Sequence, residues 1–430
     1  MSPRGARWAI AAGRVVTCDG ARATAGDALG VLEDGAVVVG DGRVLDVLPR
    51  ARLAERYPDA VLVAHAPDAV ITPGLVDAHT HAPWSGSRDG EYAVRMAGGD
   101  YEAIAAAGGG IVASMRAVRA ASLQALAETL AARVARMAAL GVTTLECKSG
   151  YGLDEASERK QLEAVAEVGA RPGAPRLVPT YLALHALPPE ANGDRAAYAR
   201  TVHDAWLPAI AAAGLARFVD AYIDRAAFSV EMAAPVLRRA RALGLGVRVH
   251  VGQFADVGGA QLAAEVGAAS GDHLENVDAA GIARLSESGA RAGLLPLASF
   301  TLGQAPPPVA ALRAAGVRLC VASDANPGTA PTESLPLALA LAVRAYGLRP
   351  DEAILGATRE AAASLGLGDE TGVLAAGRAA DLVLWDLPHE RALVQPWGVP
   401  RARRVYRDGA RIAGSDGAAD ERPGTTEERR

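Results

Sequence analysis

Two histidines one residue apart, His79 and His81, close an apolar run that reads ITPGLVDAHTH. In an extended chain, residues two apart point to the same side, so both imidazoles can reach one metal ion. Later apolar, β-branched runs end in Lys148, His185, His250, His273 and Asp324. Five of the eight histidines therefore fall at predicted strand ends, which scatter does not usually produce. A lone histidine in such a run is ordinarily a core or surface residue, and His185 by itself carries either meaning. The His-Thr-His pair with a distant strand-end histidine and a strand-end aspartate reads as a metal site. Three neutral imidazoles and one carboxylate hold a zinc-like divalent ion and leave a position for water. Such an ion lowers the pKa of water and polarises a substrate carbonyl. Asp324 is the candidate for moving protons between the water and a leaving nitrogen, and His273 is the second acid–base or electrophilic group. His65, His203 and His389 lie outside the pattern and read as ordinary. Lys148 reads either as a structural charge or as a ligand-facing group.

The elements that would hold these residues alternate. Strands are predicted at Ala69–His79, Val142–Lys148, Arg176–His185, Arg217–Asp224, Val247–Val251, Ala268–His273, Arg291–Leu297 and Val317–Asp324, with helical segments between most of them. Ser122–Leu140 is the clearest helix. Leu123, Leu126, Leu130, Val134 and Met137 fall three or four apart, Ser122 is a plausible N-cap, and Gly141 stands just past the end. Eight such units over about 250 residues fit a closed, parallel (β/α)₈ TIM barrel better than an open sheet. In that fold the strand C-termini carry the site, and the polar residues lie there. Gly-punctuated, Val-rich segments recur at both chain ends: Trp8–Thr17, Ala36–Leu48 with a tight Asp41-Gly42 hairpin, Asp381–Leu387 and Arg403–Ile412. They predict a small β-sandwich domain formed from both ends. The expected division is 1–70 and 371–413 for the sandwich, 71–370 for the barrel, and 414–430 for a polar, disordered tail.

Composition narrows the class. A chain of 430 residues, half of them hydrophobic, is too long for one core and suits a barrel plus a smaller unit. Its net charge of −5 argues against a nucleic-acid partner. Cys18, Cys147 and Cys320 are odd in number and far apart, so no disulfide framework is expected, and a reducing cytoplasm is the simplest compartment. The first residues make a poor signal peptide, and the apolar run Leu335–Val343 is too short to span a bilayer. A soluble protein without a membrane partner is expected.

At the residues above, the chain resembles the amidohydrolase superfamily, and within it the imidazolonepropionase family, from about residue 70 to about residue 395. The His-x-His pair and Asp324 are shared by many amidohydrolases. More specific are WSGSR (Trp84–Arg88), AAAGGGI (Ala105–Ile111), ECKSGYGLD (Glu146–Asp154), HALPPE from His185, AFSVE (Ala227–Glu231), GDHLE (Gly271–Glu275) and SDANPGTAP (Ser323–Pro331). The trailing GVLAAGRAADLVLWD resembles the superfamily's return to its small β-sandwich. The resemblance implies one Zn²⁺ or Fe ion on His79, His81, His250 and Asp324. It implies substrate contacts at Arg88, Tyr151, His185, Gln253, Asn326, Gly328 and Thr329, and catalytic roles at Asp324, His273 and Gln253. The implied substrate is 4-imidazolone-5-propanoate, opened at a ring C–N bond to N-formimidoyl-L-glutamate in histidine degradation. Arg88 suits its carboxylate through two parallel hydrogen bonds. Tyr151 can donate another, and Gly150 and Gly152 allow close backbone approach. The Asn-Pro-Gly turn after Asp324 would present backbone N–H groups and Thr329. Gly108, Gly109 and Gly110 read as a tight turn or as a mobile loop over the site. A homodimer is the candidate assembly.

The chain departs from the family's usual spelling after the third metal histidine, where HVGQ places Gly252 at a usually acidic position, while Gln253 is within the family's range of Glu or Gln. A glutamine cannot act as a general base, so Asp324 or His273 must take that work. IDRAAF (Ile223–Phe228) also differs from the usual acidic-basic-Gly sequence. Three rival readings stand beside this one. In a binuclear amidohydrolase, a carboxylated Lys148 would bridge two ions. A mononuclear deaminase would act on a related heterocycle. A catalytically dead barrel would serve only for binding. Metal count, ammonia release and failure to bind any divalent metal separate them.

Overall fold

The N-terminal Val- and Ile-rich runs form β1 (Trp8–Val16), β2 (Val31–Gly40), β3 (Arg43–Pro49) and β4 (Val61–Pro73) in the computed structural model, which describes residues 7–99, 109–395 and 399–414. Asp41 (φ 50°) and Gly42 (φ 76°) join β2 to β3, and two left-handed residues in succession match the strand twist of a tight hairpin. The strands that follow are β5 (Leu75–Asp77), β6 (Val142–Lys148), β7 (Arg176–Leu184), β8 (Phe218–Ile223), β9 (Gly246–Val251), β10 (Ser270–His273), β11 (Arg291–Leu294) and β12 (Leu319–Val321). The last are β13 (Leu382–Trp385), β14 (Ala402–Arg407) and β15 (Ala410–Gly414). They sort into two sheets. One is seven-stranded, in the order β15-β14-β13-β4-β1-β2-β3, so both chain ends build it. Its core is apolar, with Ile10, Val37, Val39, Ile71, Leu382 and Leu384 packed together.

The other sheet runs β5 to β12 in unbroken sequence order, every pair parallel. Helices return the chain between most strands. Leu123–Ala139 forms as its spacing predicts: Ser122 Oγ accepts from the Ala125 N–H at 3.1 Å, and Gly141 follows at φ 93°. Leu126, Leu130, Val134 and Met137 are buried on its inner face, each contributing about 1.5–3 kcal/mol. The sheet closes just past the ends of its first and last strands. Asp77 accepts from Ser323 N–H at 3.0 Å and Ser323 Oγ–H at 2.6 Å, the Asp324 N–H donates to the His79 carbonyl at 3.0 Å, and the His81 N–H to the Ala325 carbonyl at 3.0 Å. The closure is therefore made by the segments that carry the candidate site.

Three predicted strands differ in form, and of these Val317–Asp324 is a strand only over Leu319–Val321. The run Ala69–His79 is divided between the sheets, because β4 ends at Pro73 and β5 starts at Leu75. Gly74 lies between them, where a Cβ would sit 2.1 Å from Thr143 Oγ1. The run Arg291–Leu297 stops at Leu294 because Pro296 opens the helix Pro296–Leu302. The expected tail, apart from Gly414, and residues 105–108 of the Gly-rich segment lie outside the described residues. Among the described residues no helix is long and apolar enough to cross a membrane.

Candidate active site

His79 and His81 follow β5, and His250 projects beside them from β9. The nitrogens with which the three could bind an ion lie within 4.8 Å of one another. Asp324 Oδ1 lies 3.5 Å from His79 Nε2 and 3.3 Å from His81 Nε2, and the Nε2 atoms of His81 and His250 are 3.4 Å apart. His79 Nε2 and Asp324 Oδ1 are buried without a hydrogen-bond partner. Buried polar atoms left this way are costly, about 1–3 kcal/mol each, unless something sits among them. A divalent cation fits that donor set.

Two of the three imidazoles are held from behind. His79 Nδ1 lies 2.7 Å from Asp272 Oδ2 and His250 Nδ1 3.1 Å from Asp220 Oδ1. Each carboxylate fixes the Nδ1–H tautomer and leaves the Nε2 lone pair toward the cluster. Burial pushes the His79 pKa well below the usual range and that of His250 down to about 4, so both imidazoles are neutral at pH 7. Deeper in the barrel, Lys148 Nζ bridges Asp220 Oδ2 at 2.6 Å and the Glu146 carboxylate at 2.9 Å. Arg248 Nε lies 3.1 Å from Glu146 Oε1 and its Nη2 3.4 Å from Asp272 Oδ2. Burial opposes the Lys148 charge, but Asp220 and Glu146 outweigh it and hold the pKa above its ordinary value. Lys148 is thus a charged brace under His250. A bridging carboxylate on that nitrogen would require it to be neutral and released from both partners, which weighs against the binuclear reading. Glu146, Asp220 and Asp272 outnumber Lys148 and Arg248 by one, and Asp324 adds another negative charge. A divalent cation would offset that excess.

Above the cluster lies a cavity of about 530 Å³. Arg88, Tyr151, His185, Gln253, Asn326 and Thr329 all line it, together with His273 and Asp324. His185 Nδ1 donates to the Gly150 carbonyl at 2.7 Å, and its ring stacks on His81 with centroids 5.4 Å apart. Burial, reinforced by His81, drives its pKa well below the usual range. Tyr151 packs edge-on against His185 at 5.2 Å. The Gln253 Oε1 accepts from the Tyr222 hydroxyl at 2.8 Å. Arg88 Nε donates to Glu91 Oε2 at 2.8 Å, while Glu91 Oε1 accepts from the Gly110 N–H at 2.9 Å.

His273 and Leu274 both take left-handed backbone conformations (φ 81° and 69°), a strain of about 1–3 kcal/mol each, and so does Asp324 at φ 52°. The His273 ring reaches the edge of the cluster, 5.5 Å from His250 and 5.9 Å from His79. Burial works against its charged form, but Glu275 and Asp324 outweigh it and raise the pKa.

The turn after Asp324 differs from expectation. The N–H groups of Gly328 and Thr329 both donate to Asn326 Oδ1, at 2.8 and 2.7 Å. Asn326 Nδ2 donates to the Asp324 carbonyl at 2.7 Å and to Thr329 Oγ1 at 2.9 Å. The turn is therefore self-satisfied, and its N–H groups are not offered to a ligand. Gly328 does not line the cavity. A Cβ there would lie 2.3 Å from Arg88 Nη1, so its smallness makes room for the guanidinium. Sequence reasoning passed over Asp220, Asp272, Glu146, Arg248, Glu91 and Tyr222. The signal for the first four was a charged residue inside an otherwise apolar strand run.

Comparison with known proteins gives the chain's relatives. The sequence pattern of the Amidohydrolase family matches residues 70–412. An imidazolonepropionase of Acidiphilium cryptum is 48% identical over 381 residues, covering 88% of this chain and 94% of the relative. One of Mesorhizobium japonicum is 43% identical over 382 residues, covering 88% and 93%. Among solved structures, Escherichia coli guanine deaminase superposes with a TM-score of 0.71 at 17% identity, covering 95% of this chain and 100% of that one. A zinc-bound adenosine deaminase of Xanthomonas campestris gives 0.67 at 22%, covering 95% and 93%. At those identities the two deaminases speak for the fold alone.

Proposed function

The chain belongs to the amidohydrolase family and, by the identity and coverage of its relatives, to the imidazolonepropionases within it, and from that premise we propose that it hydrolyses the ring amide of 4-imidazolone-5-propanoate to N-formimidoyl-L-glutamate in histidine degradation. The observation that carries the reading is the meeting of His81, His250 and Asp324 on the floor of one cavity, with His79 beside them and the buried Arg88 in its wall.

His79, His81, His250 and Asp324 would hold one zinc or iron ion. That ion, when bound, supplies a Lewis acid that activates water and polarises the carbonyl. Arg88 binds the propanoate carboxylate and sets the ring over the floor. His185, stacked on His81, and Tyr151 wall the ring and exclude water. Asp324 takes the proton of the attacking water as the ring carbonyl carbon becomes tetrahedral. His273 faces the carbonyl oxygen as it gains charge, and its raised pKa suits it to donate there. The C–N bond then breaks, and the ring nitrogen leaves with the proton returned from Asp324. A cytoplasmic location and a homodimer complete the proposal, the latter checked by light scattering.

The direct test adds 4-imidazolone-5-propanoate to purified, metal-quantified protein. The ultraviolet loss of the substrate is followed, and the product is identified by mass spectrometry. Turnover that chelation abolishes and a divalent metal restores is the expected result. No turnover by protein with metal bound would overturn the substrate assignment.

A further inference from the structure

Gln253 lines the cavity three residues beyond His250, and a glutamine amide neither takes nor gives up a proton at neutral pH. What it offers a ligand depends on which end of the amide faces inward, because one end accepts hydrogen bonds and the other donates them. In the structure the oxygen end is the one turned to Tyr222. Tyr222 stands on β8 two residues after Asp220, and its hydroxyl donates to Gln253 Oε1 at 2.8 Å. The main chain of Gln253 is fixed separately: its carbonyl accepts from Asn276 Nδ2 at 3.0 Å and Gln304 Nε2 at 2.9 Å. Among the described residues, Gln253 Nε2 meets no acceptor, yet it is not one of the polar atoms sealed from solvent. It therefore opens on the cavity.

We propose that Tyr222 is a positioning residue whose hydroxyl pins Gln253 Oε1, so that the Gln253 amide NH₂ is held as a donor toward a hydrogen-bond acceptor on the substrate ring. This deepens, and rests on, the reading of the cavity as one for a small cyclic amide. A ring carbonyl oxygen or an unprotonated ring nitrogen satisfies such a donor, whereas a ring N–H does not. Position 253 therefore selects ring tautomer and orientation, and the proton traffic stays with Asp324 and His273. Without the hydroxyl, the terminal amide torsion is broad and nearly two-fold, and the oxygen end turns inward part of the time.

The test is a double-mutant cycle on the metal-loaded enzyme, with KM and kcat measured for Tyr222→Phe, Gln253→Ala and the double variant. Tyr222→Phe keeps the ring and removes the hydroxyl that donates to Gln253 Oε1. KM is expected to rise about fivefold, the equivalent of about 1 kcal/mol, with a smaller change in kcat and unchanged metal content. On the Gln253→Ala background the same substitution should add nothing. An equal rise on both backgrounds, or no rise on either, overturns the proposal. Gln253→Glu is an independent check should Tyr222→Phe fail to fold. It replaces the donor with acceptors, so its KM should exceed that of Gln253→Ala, and an equal or lower value overturns the donor role. A wild type inert toward the imidazolone takes down the proposed function and this inference together. An active wild type with an unaltered Tyr222→Phe takes down this inference alone.

Discussion

The floor of the cavity is carried by strands and their immediate extensions, and the rim by loops and a short helix, and the two satisfy their polar groups differently. Two of the three floor imidazoles face the cluster with one nitrogen and have the other tied to a carboxylate, Asp272 for His79 and Asp220 for His250, whereas His81 Nδ1 is buried without a hydrogen-bond partner. Behind those carboxylates stand Lys148, Arg248 and Glu146, all fully buried. The rim groups lean on one another: Arg88 on Glu91, Glu91 on the Gly110 N–H, and Asn326 on the N–H groups of Gly328 and Thr329. On the proposed reading, a change in the floor therefore travels through buried charges and should reach the metal. A change in the rim stays local and should reach only the substrate's tail.

The strongest attempt to break that contrast is His250→Ala. It removes one ligand and strands Asp220, which loses the His250 partner while Lys148 still holds it. Metal and activity should be lost together, as elemental analysis beside an activity assay would show. A variant that kept one ion per chain would mean that the floor is not the metal site. Asp272→Asn should come next. The carboxylate is fully buried in a place Gly293 keeps open, since a Cβ there would sit 2.1 Å from Asp272 Oδ1. Removing its charge loosens His79 and leaves Arg248 under-compensated, so metal affinity should fall about 10- to 100-fold. Competition with a fluorescent chelator reads this directly. If affinity held while KM rose, the floor would be coupled to substrate in the way reserved here for the rim.

The same contrast explains what could be read in the chain of residues. Two floor residues sit two apart at one strand end, a period that survives any detail of packing, so His79 and His81 stand out from the pattern alone, whereas His250 was told from the other strand-end histidines by resemblance. Asp220 and Asp272 were present in the same runs. Their roles depend on which strands become neighbours and how deep each residue lies, and periodicity does not encode either. The division of Ala69–His79 between two sheets was hidden for the same reason: Gly74 is demanded by Thr143, some seventy residues away. At the rim, resemblance pointed to Gly328 and Asn326 as contacts. It could not distinguish a residue that touches a ligand from one that shapes the residue that does, because a glycine kept for a neighbour's guanidinium and a glycine kept for a ligand look identical in one sequence.

Arg88→Ala sharpens the contrast from the rim side. The guanidinium is 7% exposed and lines the cavity. One charge-assisted hydrogen bond contributes about 1.5–3 kcal/mol, so KM should rise about 10- to 100-fold with metal content unchanged. Unaltered substrate affinity would show that the carboxylate is held elsewhere and that Arg88 serves the rim only structurally.

Gly328→Ala asks the finest question, whether the rim is rigid or yielding. The new methyl would sit 2.3 Å from Arg88 Nη1 and 2.7 Å from its Cζ, so one of them must move. Crowding by the far end of a flexible side chain is usually relieved cheaply, but Arg88 is anchored nearer its base, where Nε bonds Glu91 at 2.8 Å. Relief must come by swinging the terminal nitrogens away from Gly328 or by breaking the Glu91 contact. Overpacking costs about 1–3 kcal/mol when the neighbour cannot give. If only the nitrogens swing, the carboxylate loses its partner geometry, and KM should rise about three- to tenfold at normal metal content and nearly normal melting temperature. If KM is unchanged and the melting temperature falls, the strain has gone into the Glu91 and Gly110 contacts instead. The rim would then move as a unit to keep Arg88 on its target.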